Sequence, residues 1–480
     1  MADSGSCGRG DLARLAPVPA LFPSQAQRAR WDDSLTRTLL ATRRRVSAGA
    51  VTPTLDLAAF RRELATCNFA TPRSAEDLFA WVVAQLERGI THMTHPCYFG
   101  LFNPAPTYPA QAADRIVSAF NPQLATSTTS PAAVEIEAHT IRAVACRAGL
   151  PEGSAGHFTT GGAEANYTAL ICALTQAHSD FAKRGARAFA GDPVFYVSRE
   201  SHLAWVKIAH QAGIGRDAVR MIGTDGTGRM DTTAMAEAIV TDRADGRVPA
   251  MVVATAGTTN AGMVDPLREC SAIASEAGAW FHVDAAWGGG LIASDALRSA
   301  LDGLELADSI TIDAHKWFAT TMGCGMFLTR WPDLLTTAFR VSADYMPSNT
   351  AGVDPYVTSV QWSRRFLGLR LFMSLAVAGW PGHARHVERA VALAARLEGA
   401  LRDRGWAIAN RSPMAVVCAK PPPGSTEIRT LVGRVLASGA AWVSLAMFEQ
   451  RPVVRACVTN GETGLDEIAG LVDALDGARH

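Results

Sequence analysis

Between about residues 130 and 330, short runs that are apolar at nearly every position alternate with longer stretches whose apolar residues recur at helical spacing. The runs are "PVFYVS", "AVRMIG", "PAMVVATAG", "AWFHVDAA", "DSITIDA" and "GMFLT"; helix-like segments such as "AEANYTALICALTQAHSDFAKRG" and "PLRECSAIASEAG" lie between several of them. Strands apolar on both faces that alternate with helices predict an α/β domain with a largely parallel sheet. After about residue 375 the order changes to a long helix, "HARHVERAVALAARLEGALRDRG", then short strands and helices, which predicts a smaller α+β domain. Upstream, residues 1–30 are rich in Pro, Gly, Ala and Ser and predict a loose arm. "SAEDLFAWVVAQLERG" reads as a helix capped by Ser74, with Glu76 and Asp77 in its first turn. "HPCYFGLFNPAPTYP" is aromatic and proline-rich, hence an irregular loop that packs against something. The expected divisions are 1–90, 91–375 and 376–480, and no internal repeat or long low-complexity tract interrupts them.

Composition narrows the class without naming a chemistry. The 480 residues, 48% hydrophobic and 19% charged, suffice for a large core. Basic and acidic side chains balance at 45 each, so no nucleic-acid or anionic-membrane partner is expected. The nine cysteines are scattered, odd in number and without a CxxC pair, which suits reduced core thiols and predicts no metal site. The amino terminus lacks an apolar signal region behind a basic start, and no apolar run reaches the roughly 18 residues of a spanning helix. A cytoplasmic protein is the expectation.

Three of the predicted elements carry loaded residues where a parallel sheet presents its ligands, beyond the carboxyl ends of the strands. In "HFTTGGAEANYTAL", Gly161 and Gly162 stand just before a helix and leave bare N–H groups suited to a phosphate. In "WFHVDAAWGGG", Asp284 ends an apolar strand and needs a cationic or donor partner. In "SITIDAHKWFAT", Lys316 sits beside the bulky pair Trp317–Phe318, where an ammonium needs a partner, a change of protonation or a covalent bond. Each feature alone also fits a plain role: a glycine turn, a turn-capping aspartate, a snorkelling lysine. Together they meet the needs of pyridoxal phosphate: a Schiff-base lysine, a carboxylate for the pyridine nitrogen, and a helix end for the phosphate.

With these residues the chain resembles the group II pyridoxal-phosphate decarboxylases, from about Thr94 to Arg370, on "HVDAAW" and "DAHKW" above all. The resemblance implies a fold-type-I transferase-like α/β architecture and pyridoxal 5'-phosphate as cofactor. It also implies a homodimer with shared active sites, the amino-terminal segment serving dimerisation. Lys316 is then the cofactor lysine and Asp284 the ring-nitrogen partner. Ala286 packs on one ring face, and His202, in "SRESHLAW", stacks on the other. Gly161, Gly162 and Ala163 match the phosphate turn, helped by Asp313 and His315, and Thr259 matches a threonine near the ring. In "AFRVSADYMPS", Tyr345 falls on the tyrosine that protonates the substrate carbon after carbon dioxide leaves. Trp362 and Ser363 match positions that reach the neighbouring subunit's phosphate.

The chain also departs from the pattern. Asp313 stands where several members carry asparagine, Ala163 replaces a hydroxyl residue, Cys97 replaces histidine or arginine, and Ala125 replaces a large aromatic. The expected reaction is decarboxylation of an L-amino acid to its amine. Tyr98, Phe99, Phe102 and Trp287 favour an aromatic or apolar substrate, whereas Ala125 and the run Thr126–Thr129 favour a small polar, acidic or diamino one. Three readings compete: an aldehyde synthase on the same scaffold, against which Tyr345 weighs; an aminotransferase, which shares the lysine, carboxylate and phosphate cradle but needs an arginine on the α-carboxylate and a lysine free to move a proton; and a silent scaffold protein, against which intact Lys316, Asp284 and Tyr345 weigh.

Overall fold

The computed structural model describes residues 18–341 and 354–480. The chain divides into two units, Met1–His95 and Pro96–His480.

In the first unit the helices are α1 (Gln25–Ala48), α2 (Leu57–Ala65) and α3 (Ala75–Gly89). Each starts on a side-chain cap: Ser24 Oγ accepts from Gln27 N, Asp56 from Ala59 N, and Ser74 Oγ from Asp77 N. The expected loose arm therefore ends earlier than residue 30. "QAQRAR" is made of strong helix formers behind a serine cap, and these outweigh the Pro-rich stretch before them. Glu63 joins α2 to α3, accepting from Trp81 Nε1 at 2.7 Å and from Arg88 Nη2 at 2.7 Å.

The second unit is built on a seven-stranded sheet in the order β1-β7-β6-β5-β4-β2-β3. Its strands are β1 (Ala155–Thr159), β2 (Pro193–Ser198), β3 (Val219–Ile222), β4 (Val248–Thr255), β5 (Trp280–Asp284), β6 (Ser309–Asp313) and β7 (Gly325–Thr329). All neighbours from β3 to β6 pair parallel; β7 alone runs against both β6 and β1. The carboxyl ends of β1, β2, β4, β5 and β6 therefore share one edge. β1 is absent from the apolar runs read in the sequence, because "AGHFT" mixes glycine and histidine with only one large apolar residue.

Alternation along the strands divides the core in two. Val194, Tyr196, Val252, Ala254, Phe281, Val283, Ile310 and Ile312 point into one apolar cluster. Phe195, Val197, Met251, Val253 and Trp280 point into the other, which is roofed by α6 (Gly162–Ala177) through Ala165, Ala169 and Cys172. Before α6 come α4 (Tyr108–Phe120) and α5 (Pro131–Arg147).

The carboxyl-terminal part holds a four-stranded antiparallel sheet ordered β10-β11-β9-β8, from β8 (Ala407–Ile408), β9 (Val416–Lys420), β10 (Ser444–Phe448) and β11 (Arg451–Cys457), with a last helix over Leu465–Ala478. The long helix before it spans Leu369–Asp403, beginning well before the expected His383. Gly379 (φ 62°, ψ 172°) and Pro381 kink it, and these two residues hid its first half from a periodicity reading. Its second half and both sheets contribute to the same apolar cluster.

Among the described residues the eight cysteines form no disulfide, and five of them are buried. No described helix is long and apolar enough to cross a membrane.

Candidate active site

Strand register brings the marked residues to one edge. Thr255 pairs with Asp284, Asp284 with Thr311, and Asp313 and Thr159 both with Gly325. Gly161 and Gly162 follow Thr159 and open α6, whose first turn has no side-chain cap, so its leading N–H groups stay open. A Cβ on Gly162 would lie 2.9 Å from Asp313 Oδ2 and 3.3 Å from Ala286 Cβ, and one on Gly161 would lie 3.6 Å from His315 Cε1. The glycine turn, Ala286, Asp313 and His315 thus enclose one small space. Ala163 lies exposed at its rim.

Asp284 is buried and accepts two hydrogen bonds, from Asn166 Nδ2 at 2.8 Å and from Ala286 N at 3.1 Å. Lys316 is half-buried, with Nζ 3.0 Å from Asp313 Oδ2. The carboxylate of Asp313 therefore neutralises the ammonium in this state; its Oδ1 is buried with no hydrogen-bond partner. His315 packs against the Cys324 backbone, with Nδ1 3.1 Å from Cys324 O and Nε2 3.9 Å from Asp313 Oδ2. Burial holds this imidazole below its ordinary pKa, with Asp313 opposing the shift.

His202 is exposed beyond β2, its Nδ1 accepting from Ala204 N at 3.1 Å. The neighbouring Ser201 hydroxyl meets Thr255 Oγ1 at 2.6 Å and pins this segment to β4. Thr259 lies in the turn after β4, and its carbonyl accepts from Arg455 Nη1 at 2.5 Å. Ser363 is exposed in the segment before the kinked helix. In that segment Gln361 Nε2 donates to Glu164 of α6 at 2.5 Å, and Arg364 pairs with the buried Glu137 at 2.5 Å. Tyr345 lies outside the described residues.

The donor set fits pyridoxal phosphate: a buried carboxylate for a ring nitrogen, an amine for an aldehyde, and open helix N–H groups beside a cradle that a single Cβ would crowd. Sequence reading missed the residues behind Asp284, namely Asn166, His282 and Ser309. For His282 and Ser309 a signal was present as polar residues at every second position of otherwise apolar strands, "WFHVD" and "SITID".

Comparison with known proteins agrees with this chemistry. The model of the pyridoxal-dependent decarboxylase conserved domain matches residues 62–420. The chain is 27% identical over 433 residues to the aromatic-L-amino-acid decarboxylase of Bacillus atrophaeus, covering 87% of this chain and 88% of that protein. It is 36% identical over 293 residues to the L-2,4-diaminobutyrate decarboxylase of Rhizobium meliloti, covering 60% of this chain and 57% of the relative. The crystal structure of Oryza sativa TDC with PLP and tryptamine superposes with a TM-score of 0.87 at 25% identity, covering 95% of this chain and 98% of that one. The fold, the family-wide match and the chemistry gathered at one sheet edge lead to one conclusion: the chain belongs to the pyridoxal-dependent decarboxylase family and is a pyridoxal-phosphate-dependent carboxy-lyase of amino acids.

Proposed function

We propose that the protein decarboxylates an L-amino acid with an aromatic or apolar side chain to the corresponding amine, as a cytoplasmic homodimer with shared active sites. The observation that carries the site assignment is the convergence of Lys316, Asp284 and the Gly161–Gly162 turn on one sheet edge. When bound, pyridoxal phosphate supplies an electron sink for the carbon that loses its carboxylate. Lys316 would hold the cofactor's aldehyde group through its amine. Asp284 keeps a proton on the ring nitrogen. The α6 amino terminus with Gly161, Gly162 and Ala163 receives the phosphate, beside Asp313 and His315, and Ser363 of the partner subunit completes it. Ala286, His202 and Thr259 would hold the ring. Tyr345 delivers the proton to the α-carbon and excludes oxygen and bulk water. Residues 1–90 serve dimerisation, 91–375 bind the cofactor, and 376–480 form the small domain.

The aromatic assignment draws support from Phe102, which holds a positive φ of 67° to lay its ring 4.3 Å from Trp287, the residue after Ala286. A non-glycine residue in that conformation costs about 1–3 kcal/mol, so the placement is over-determined by its surroundings. A second reading, an acidic side chain, is favoured by Arg455. It is buried over the Phe102 ring at 5.2 Å, and its hydrogen bonds among the described residues go to neutral partners, Ser444 Oγ and Thr259 O.

Product analysis over the proteinogenic amino acids plus ornithine and diaminobutyrate separates the two readings. Amine from phenylalanine, tyrosine or tryptophan supports the first, and turnover confined to aspartate or glutamate supports the second. With the accepted substrate, Tyr345→Phe is expected to slow carbon dioxide release and divert product from amine toward aldehyde, ammonia and peroxide, with oxygen consumed. Amine alone at the wild-type rate from that variant removes Tyr345 from the proton-donor role.

A further inference from the structure

Asp284 is the end of a connected set of buried polar groups. Trp280, His282 and Asp284 occupy alternate positions of β5 and so face the same side of the sheet; Ser309, Thr311 and Asp313 do the same on the adjacent β6. α6 covers that side and places Asn166 over it. Trp280 Nε1 donates to Ser309 Oγ at 2.8 Å, Ser309 Oγ lies 2.8 Å from His282 Nδ1, and His282 Nε2 lies 3.1 Å from Asn166 Oδ1. Asn166 Nδ2 donates to Asp284 Oδ2 at 2.8 Å. All five residues are buried.

Donor and acceptor inventory fixes every proton in this set. A carboxylate only accepts, so the amide nitrogen of Asn166 faces Asp284 and its oxygen faces His282. That oxygen only accepts, so His282 carries its hydrogen on Nε2. Burial holds His282 down to about 4, leaving a neutral ring whose bare Nδ1 must accept from the Ser309 hydroxyl. Ser309 in turn accepts from the Trp280 indole. The four hydrogen bonds from Trp280 to Asp284 therefore donate in one direction, toward the carboxylate, and each polarises the next, with Thr311 Oγ1 a longer side contact of His282 Nε2 at 3.4 Å. A hydrophobic face that needed only packing would not bury four polar side chains in series.

We propose that Asn166 is a positioning residue for Asp284: it is the last link of a one-way chain Trp280, Ser309, His282, Asn166 that donates to the Asp284 carboxylate and keeps it aimed at the cofactor's ring nitrogen. The proposal rests on the reading of Asp284 as the ring-nitrogen partner. Where a carboxylate and a ring nitrogen share one proton, each donor on the carboxylate keeps the proton on the ring. With one donor removed, the carboxylate competes better and the ring becomes a neutral pyridine, a poorer electron sink. Asn166→Leu removes the donor while keeping the side chain's branching and number of heavy atoms. His282→Phe removes the group that fixes the amide's orientation, in a pocket already lined by the Trp205 ring at 5.7 Å.

The test uses holoenzyme reconstituted with pyridoxal phosphate labelled with nitrogen-15 in the ring, read by nuclear magnetic resonance, together with cofactor affinity. Asn166→Leu is expected to move the ring-nitrogen signal toward that of neutral pyridine. It should also weaken cofactor binding by about tenfold or more, the worth of one hydrogen bond to a charged group. His282→Phe is expected to move the signal the same way by less, and it carries the test if Asn166→Leu does not fold. Asp284→Ala serves as the reference for complete loss. If Asp284→Ala shifts the signal and neither other variant does, even with a lowered melting temperature, the chain is structural packing and the proposal is overturned. If Asp284→Ala itself leaves the signal in place, the reading of Asp284 fails and the proposal with it.

Discussion

Lys316 is where a single side chain decides most. Its ammonium is tolerated among Trp317, Phe318 and the buried His315 because Asp313 lies 3.0 Å away. Asp313, an acid where a phosphate is cradled, is therefore accounted for in this state by the lysine it neutralises. Lys316→Ala is expected to lower turnover by at least about a thousandfold, since a covalent step has no substitute elsewhere. The variant should still fold and hold the cofactor non-covalently. Borohydride reduction and peptide mapping give a sharp check, because the sequence holds only four lysines, Lys183, Lys207, Lys316 and Lys420. Labelling of any of the other three would overturn the assignment. Lys316, His315 and Asp313 were legible in the sequence because they sit within four contiguous positions. Asn166, His282 and Ser309 were not, because their partnership exists only across two strands and a helix.

The turn into α6 shows how one element makes a binding feature out of backbone. Gly162 is the first residue of the helix and its φ is ordinary, so conformational freedom is not the reason for glycine there. The reason is space: a Cβ would stand 2.9 Å from Asp313 Oδ2. Alanine is a better helix former than glycine by about 1 kcal/mol. Gly162→Ala is therefore expected to leave the melting temperature of the cofactor-free protein equal or higher. Cofactor affinity should nevertheless fall, by about tenfold, as Asp313 is pushed across the cradle. Fluorescence titration with pyridoxal phosphate, beside a melting curve of the apoenzyme, separates the two effects. Unchanged affinity would mean that this turn does not hold the phosphate. The two glycines were visible as a possible cradle in the sequence, and the family resemblance implied Asp313 and Ala286 beside the cofactor; how β6 and the segment after β5 close the cradle came from the sheet order.

Buried titrating groups set how the protein's stability answers to pH. Burial pushes His157 down to about 3 and His282 and His386 down to about 4, all from an ordinary 6.5. Each must stay neutral when folded and can charge when unfolded. Their contribution is complete above pH 6.5 and is lost as pH falls toward 4, at about 1.4 kcal/mol per unit for each group. Asp265 acts in the opposite sense. Burial raises it to about 6 despite its bonds from Thr255 N and Met230 N, so its contribution grows as pH falls from 6. Burial also lowers His315 and His383 and raises Glu137 and Glu200, so five imidazoles against three carboxyls leave a net loss. The melting temperature of cofactor-saturated enzyme is expected to fall between pH 6.5 and 5, and His282→Phe is expected to flatten the fall. A flat or rising profile in the wild type would contradict the assignment of neutral buried histidines.

The sequence by itself determined the class of the molecule. Alternation of doubly apolar runs with helical stretches settled a mainly parallel sheet, because only strands covered on both faces can be apolar throughout. The contiguous motifs around Asp284 and Lys316 settled the cofactor, because a carboxylate and an amine in apolar surroundings need a partner that uses both. The tertiary structure decided what depends on distant residues meeting. The antiparallel pairing of β1 with β7 carries Thr159, and with it the glycine turn, to the edge where Asp313 stands. The roof formed by α6 turns His282 and Ser309, in sequence only polar positions of apolar strands, into the support of Asp284 through Asn166. Local pattern fixes which face of a strand a residue takes; only the packing of strand on strand and helix on sheet fixes whose side chain it meets there.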